Sequence, residues 1–549
     1  MFNLNSLIKQ KYIFFVFVLF IFLIVLGYSA TYNSIDPDFG WHLRTGQLML
    51  ERGVPKIDWY SYTMPSFPWI DHEWLTDVFI YKIYSFFGLT FLLLVFLSVF
   101  ASAFIILIKR KLFFYFLLPI VLGFLASLGF LGIRPQLLTV FFVAALLAIL
   151  NKFLQNPNTR LIYLCPILFL IWVNLHGGFL VGLLFIFLFL VLEIFKKTKL
   201  FNRAISLRFF SGQNFKIEEP KERPWYRDVK AKILSIILIA SAAATFINPY
   251  GLRIYKEIFS SVGDSFLKAH INEWMPLFST SSLLQSTFII LYLGIFLGLI
   301  IIFRKKIEFN NLVLSLIFLV FAILSQRNLL IFIILTVPIF SELLFHFRSE
   351  IITNEANRRM VKFIFGGFKK WIILSTILGL FAFGFCMHFI SNAREKDHVL
   401  YSVAAVNFLK TLPLSENLLN EYGLGGYLIW KLPERKVFID GRMPSWRENG
   451  QFVFGDYIKI MGAESGAEAL LKKYNIKVAV LDKTVKDEAI KYFDYQAKPK
   501  TLFVKFLEKH SWVLKTIGVS PSKKNIYNLL IDSGWHNIYQ DSAVIILEK

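Results

Sequence analysis

Long apolar runs recur from Tyr12 to Phe389, with short clusters of Lys and Arg between them. A helix that crosses lipid needs roughly 20 mostly apolar residues, because the hydrocarbon offers no water to satisfy a non-helical backbone. About eleven segments meet or approach that length. They are centred near Phe20, Phe96, Leu122, Ala144, Leu168, Phe187, Leu238, Leu293, Phe318, Leu335 and Leu380. Hydrophobic residues make up 56% of the 549, and 61 are Phe, more apolar surface than a soluble core hides. Beyond about Arg394 the spans stop and charge rises steadily. The expected fold is an all-α multi-spanning membrane bundle over residues 1–390, followed by a small soluble α/β domain over 391–549.

The net charge of +22 would suggest nucleic acid in a soluble chain. Here Lys and Arg flank the spans, where they face anionic lipid, so the partner is the bilayer and no nucleic acid is expected. With the N-terminus in the cytoplasm, the inside segments, among them the loop 196–232, hold more than three times as many Lys and Arg as the outside loops. By the positive-inside rule this places the N-terminus inside and, with an odd number of spans, the tail outside. The run from Tyr12 to Tyr28 is too long for the core of a signal peptide and reads as a retained anchor. Cys165 and Cys386 both lie in apolar runs, so neither a disulfide framework nor a cysteine metal site is expected.

In the tail, Val399 to Leu412 reads as an amphipathic helix and Ala467 to Tyr474 as another. Val437 to Asp440, Lys477 to Asp482 and Ala543 to Leu547 read as buried strands. Gly425, Gly426, Asp440 and Arg442 are expected to be mainly structural, since glycines suit tight turns and an Asp at a strand end often fixes a loop.

The outer loop 31–78 concentrates the reactive side chains. Its first part contains Asp36-Pro-Asp38, with Trp41 and His42 following. Two carboxylates two residues apart can hold a divalent cation such as Mg or Mn, or one can act as a base. Equally, either can simply cap a helix starting near Trp41. Spacing does not separate these readings. The loop ends in Trp69-Ile-Asp71-His72-Glu73-Trp74. An interfacial aromatic belt explains the two Trp, but ionisable groups beside lipid need partners, which suits positioning of an acceptor or metal. Other polar residues interrupt apolar runs at the same predicted face: Arg134, Asn174, His176, Asn248, Arg253, Glu273 and Arg327. The guanidinium fork of Arg134, Arg253 and Arg327 matches phosphate oxygens, while helix-end snorkelling explains any one of them singly. No nucleotide-binding glycine loop, His-Glu-x-x-His or nucleophile elbow is present.

The segment Asp36-x-Asp38-x-x-Trp41-His42 followed by Trp69-x-Asp71-His72-Glu73-Trp74 resembles that of bacterial polytopic proteins grouped with the GT-C type of membrane glycosyltransferase. So do Trp172-x-Asn174-x-His176, Asn248-Pro-Tyr-Gly251, and Asn420 to Trp430 leading to Asp440-Gly-Arg442. The resemblance implies a sugar donor on polyprenyl phosphate or pyrophosphate and matches Asp36 and Asp38 to the acidic pair of the first loop, without saying which is the base. The expected function is transfer of that sugar to a glycan, lipid or protein acceptor at the outer face of a bacterial inner membrane. A flippase would need polar residues through the midplane, where most spans here carry only Leu, Ile, Phe and Val. A non-catalytic assembly protein of the envelope stays open.

Overall fold

The structure, a computed structural model, describes residues 4–31, 35–198, 228–279, 282–353, 402–486 and 525–549. The expected span near Leu380, Cys386 and most of the loop 196–232 lie outside the described residues. The described residues of Met1–Tyr32, Phe86–Ile258 and Lys268–Ile390 form one compact unit, and those of Asn33–Ser85, Phe259–Leu267 and Ser391–Lys549 a second.

The first unit is a helical bundle. Among the described residues, 5 helices are long and apolar enough to cross a membrane: Gln10–Thr31, Trp74–Ile105, Gln136–Gln155, Leu284–Lys306 and Gln326–Glu350. The backbone of the second is non-helical at Gly88. Arg160–Leu175, Phe179–Phe195 and Phe309–Leu324 are apolar but shorter. The segment expected near Leu122 forms only the ten-residue helix Leu117–Ala126, preceded by a 3₁₀ turn over Arg110–Phe116. Several helices are apolar all round, as buried or lipid-facing helices are. Phe17, Ile239 and Ile301 are more than 60% exposed, as suits side chains meeting lipid. The helix Leu329–Thr353 buries Phe332, Ile333, Val337 and Phe340, and Tyr292 packs on Phe332 and Phe340 while its hydroxyl bonds that of Thr336 at 2.8 Å. A buried hydroxyl without such a partner would be costly in this setting.

The two ends of this bundle differ. At one, Lys109 pairs with Glu342, Lys306 with Glu350 and Arg348 with Tyr115. At the other, Arg134 pairs with Glu273 at 2.7 Å, Gln326 donates its backbone N–H to Met275, and Asn174 donates to the carbonyl of Ile247. The segments read as inside loops thus gather apart from those read as outside loops.

The second unit is built on a four-stranded sheet in the order β1-β2-β4-β3, where β1 is Asn417–Asn420, β2 Ile476–Asp482, β3 His536–Gln540 and β4 Val544–Glu548. β1 and β2 are parallel and the other pairs antiparallel, with Val480 opposite Ile546. Val478, Ala479, Val480 and Leu481 are all buried, the unbroken apolar run of a strand covered on both faces. The crossover from β1 to β2 carries the helices Gly425–Lys431, Val453–Met461 and Ala467–Lys473. Helix Val403–Leu409 and strands β2 and β4 fall where the sequence places them.

Val437 to Asp440 differs from the expectation. It is buried and extended but joins no sheet. Its hydrogen bonds go to the outer loop instead: Val437 exchanges backbone bonds with Tyr60 and Tyr62, and Thr63 donates to the carbonyl of Phe438 at 2.7 Å. The N–H of Phe438 goes to the side chain of Asn420. An apolar run reports burial, and where its backbone bonds go depends on a segment far away in the chain.

Candidate functional site

The helix Phe39–Arg52 follows the Asp36-Pro-Asp38 turn and packs against Gly425–Lys431. The approach is set by glycines: a Cβ on Gly426 would lie 2.2 Å from the Pro37 carbonyl oxygen, and one on Gly40 would lie 2.1 Å from that of Gly426. Both obstacles are backbone, so neither can swing aside. Gly426→Ala should therefore destabilise this unit by about 1–3 kcal/mol, as overpacking does. Thermal unfolding of the purified protein reads the effect, and an unchanged midpoint would mean that the two helices do not meet this closely.

Asp38 stands at the N-cap position, but its side chain caps nothing. Its Oδ1 accepts from the Trp41 indole at 3.0 Å and abuts Gly441, where a Cβ would fall 1.7 Å away. Asp36 accepts the backbone N–H of Asp38 at 3.0 Å. Both aspartates are partly exposed. The capping reading thus fits Asp36, whose side chain accepts the N–H two residues on across Pro37, and not Asp38, whose side chain bonds the Trp41 indole instead.

His42, one turn on, is 3% exposed, and its backbone N–H donates to the Asp38 carbonyl at 3.2 Å. Its Nδ1 bonds Asp77 at 2.6 Å, its Nε2 faces Glu73 at 3.7 Å, and its ring stacks on Trp41 with centroids 3.6 Å apart. Burial, then His72 and Arg442, hold the imidazole well below its usual range, so it is neutral at neutral pH. Asp71 is fully buried, which pushes its carboxyl up to about 6 against the Glu73 N–H that it accepts. His72 is half-exposed and meets Glu73 at 3.8 Å. The structure thus brings His42, Asp71, His72, Glu73 and Asp77 into one neighbourhood, with Trp41 linking it to Asp38.

Beneath them lies a charge cluster. Arg442 bonds Asp58 at 2.8 Å and Asp440 at 2.6 Å, and its guanidinium lies over Tyr60, Trp69 and Trp446 at 4.7, 4.4 and 5.1 Å. Burial opposes its charge, yet Asp440 and Asp58 hold it above even the usual arginine range. Asp58 also accepts the N–H groups of Tyr60 and Ser61. Nε and Nη2 of Arg442 are committed to the two carboxylates while its buried Nη1 has no hydrogen-bond partner among the described residues, and the paired atoms favour a structural role for Asp440 and Arg442. Asp58 did not stand out in the sequence, and Asp77, the last of the four ionisable groups in the run from Pro68 to Asp77, carried no role of its own there. The turn at Asp58 is locally legible, but its pairing with Arg442 has no local signal.

The remaining polar residues belong to the bundle. Arg134 is paired with Glu273, and Arg327 lies over Trp274 at 4.2 Å. Arg253 is exposed at the start of the amphipathic helix Arg253–Gly263. His176 is a latch: its Nδ1 takes the Gly178 N–H at 3.0 Å and lies 2.7 Å from the Thr139 hydroxyl, which in turn accepts from Trp172. Asn248 spends its side chain on its own turn, bonding Thr245, Tyr250 and Gly251. Asn174 ties Leu170 to Ile247. Among the described residues no group of three or more His, Cys, Asp or Glu is arranged to hold a metal ion.

No protein-family profile matches this chain, and no curated protein matches it in sequence. Solved structures do. The apo oligosaccharyltransferase of Archaeoglobus fulgidus matches with a TM-score of 0.50 at 14% identity, over 88% of this chain and 71% of that one. Two further structures of the enzyme match at 12% identity. One is AglB in complex with an inhibitory peptide and a dolichol-phosphate, with a TM-score of 0.48 over 88% and 70%. The other is tethered to an acceptor peptide containing the NVT sequon, with 0.49 over 87% and 70%. The apo structure establishes the likeness as one of fold. This chain is a membrane protein whose fold is similar to that of the archaeal oligosaccharyltransferase.

Proposed function

We propose that the chain is a membrane glycosyltransferase that moves a sugar from a polyprenyl-phosphate or -pyrophosphate donor to an acceptor at the outer face of a bacterial inner membrane. The observation that carries this reading is the shared fold with an oligosaccharyltransferase over 88% of the chain. In the proposed step the acceptor hydroxyl attacks the anomeric carbon, the bond from that carbon to the phosphate oxygen breaks, and Asp38 takes the hydroxyl proton. Asp36 fixes the turn that presents Asp38. His42, held by Asp77, is a positioning residue, and Asp71, His72 and Glu73 shape the acceptor side. Arg134, Arg327 and Arg253 serve the leaving phosphate, while Asn174, His176, Asn248 and Glu273 support the same face. No step is assigned to a metal. In proteoliposomes supplied with a polyprenyl-phosphate-linked sugar and an acceptor extract, donor should be consumed and free polyprenyl phosphate released. Donor that crosses the bilayer intact would instead make the chain a flippase.

The reading includes about eleven spans, a membrane domain over 1–390 with the acidic outer loop 31–78, and an extracytoplasmic domain over 391–549. The N-terminus is cytoplasmic. Supporting this, the outer loop shares its compact unit with the tail, through Tyr62 to Leu418 and Thr63 to Phe438, so both belong on one side of the membrane. A reporter active only in the periplasm should score positive when fused after Lys549 and negative at about Phe215. The reverse pattern would remove the site from the face where lipid-linked donors of this kind would be used.

A further inference from the structure

The membrane unit contains a cavity of about 100 Å³ that the proposed chemistry does not use. Its polar lining is Lys109, Asn151, Gln155, Glu308, Asn311 and Glu342, and Phe189 and Leu335 belong to its apolar wall. The Lys109 ammonium is paired with Glu342. Glu308 precedes the helix Phe309–Leu324 without capping it. The side chains of Glu308, Asn151, Gln155 and Asn311 have no hydrogen-bond or ion-pair partner among the described residues. The Glu308 carboxylate, exposed at the mouth, can only accept, and each of the three amides can turn its carbonyl toward the same small space, so together they can surround a cation that carries several N–H donors.

The position narrows the class of ligand. Lys109 and Lys306 pair with Glu342 and Glu350, two turns apart on one helix, so Lys109–Lys111 and Arg304–Lys306 flank the same end of the bundle as the cavity. Basic clusters at the ends of spans meet lipid phosphates. Basic groups alone would favour a net-anionic headgroup, but the acceptors inside the cavity call for a positive group beyond the phosphate. A primary ammonium offers three N–H donors, whereas a trimethylammonium offers none. The space is smaller than the roughly 150 Å³ void that holds a benzene ring, and an aminoethyl group is small enough to enter it.

We propose that this cavity binds the ethanolamine headgroup of an aminophospholipid, its ammonium at Glu308, Asn151 and Asn311 and its phosphate against the Lys and Arg rim. The proposal rests on the chain spanning a membrane and is independent of glycosyl transfer. The full-length protein, exchanged into nanodiscs containing equal phosphatidylethanolamine, phosphatidylcholine and phosphatidylglycerol, should retain phosphatidylethanolamine about tenfold over phosphatidylcholine in native mass spectrometry, the worth of one charge-assisted hydrogen bond. Glu308→Gln keeps the shape of an exposed side chain and should erase that preference while the fold is kept. Equal retention of the two lipids, or an unchanged preference in the variant, would overturn the proposal. A preference for phosphatidylglycerol would reduce the site to its basic rim and overturn it too. Soluble phosphoethanolamine should not displace the lipid, and displacement at comparable concentration would assign the site to a free amine instead of the membrane.

Discussion

Asp38→Asn should remove glycosyl transfer while the protein inserts and accumulates normally. The amide keeps the shape of the carboxylate and can still accept from the Trp41 indole, so the local fold survives. What it loses is the capacity to take a proton, and removing a general base costs about 10²–10⁴-fold in rate. A capping role predicts something different, because Asn caps about as well as Asp and the change would be nearly silent. The side chain of Asp38 makes no cap bond, which already separates the two readings in geometry. Asp36→Asn should have the smaller effect, since an amide oxygen can still accept the Asp38 N–H. Release of polyprenyl phosphate from a lipid-linked sugar is the measurement. Near-wild-type turnover by both variants would take this loop out of the chemistry.

The largest expected effect on stability is at Arg442. Arg442→Met leaves Asp58 and Asp440 buried without their cation, and breaking a buried pair in this way costs about 3–5 kcal/mol. Methionine fills much of the volume among Tyr60, Trp69 and Trp446, so the loss would report charge rather than a cavity. Arg442→Lys keeps the charge but not the planar fork that serves two carboxylates and three rings, and should fall between the two. Thermal unfolding of the purified variants, with protease sensitivity of the tail as a second readout, checks both. A methionine variant as stable as the parent would show that the cluster contributes nothing to holding this unit together.

The bundle was the most legible part of the sequence, because lipid imposes a length on each span and the apolar runs show it directly. Breaks are harder to read. Pro119 and Pro166 lie in runs that look like single spans, and there the structure has a 3₁₀ turn joined to a short helix. In the tail, Lys477 to Asp482 is a strand by its unbroken apolar run, whereas Val437 to Asp440 has the same signature and pairs with the outer loop. The candidate site was legible as a set of residue types and not as a set of partnerships. His42 follows the Asp36-Pro-Asp38 pair closely in sequence, but its side chain bonds Asp77, 35 residues on. His176 and Asn248 stood out as polar breaks in apolar runs and are occupied by bonds to their own surroundings. Side-chain commitments of this kind depend on tertiary neighbours that no local pattern reports.

Thr63 and Phe438 are hydrogen-bonded across 375 residues of sequence, and Asp58 finds its cation in Arg442, far later in the chain. Translation runs from the N-terminus, so the first outer loop is made and inserted long before the segment that completes it. During that interval its buried aspartates face water and the faces of Trp69 and Tyr60 that will cover the guanidinium are bare. The loop is thus an early-made half of a late-closing unit, and its vulnerable period is set by the time needed to synthesise and insert the intervening spans. A chain truncated before Arg442 would keep its membrane anchors and leave this loop as a standing target for quality-control proteases.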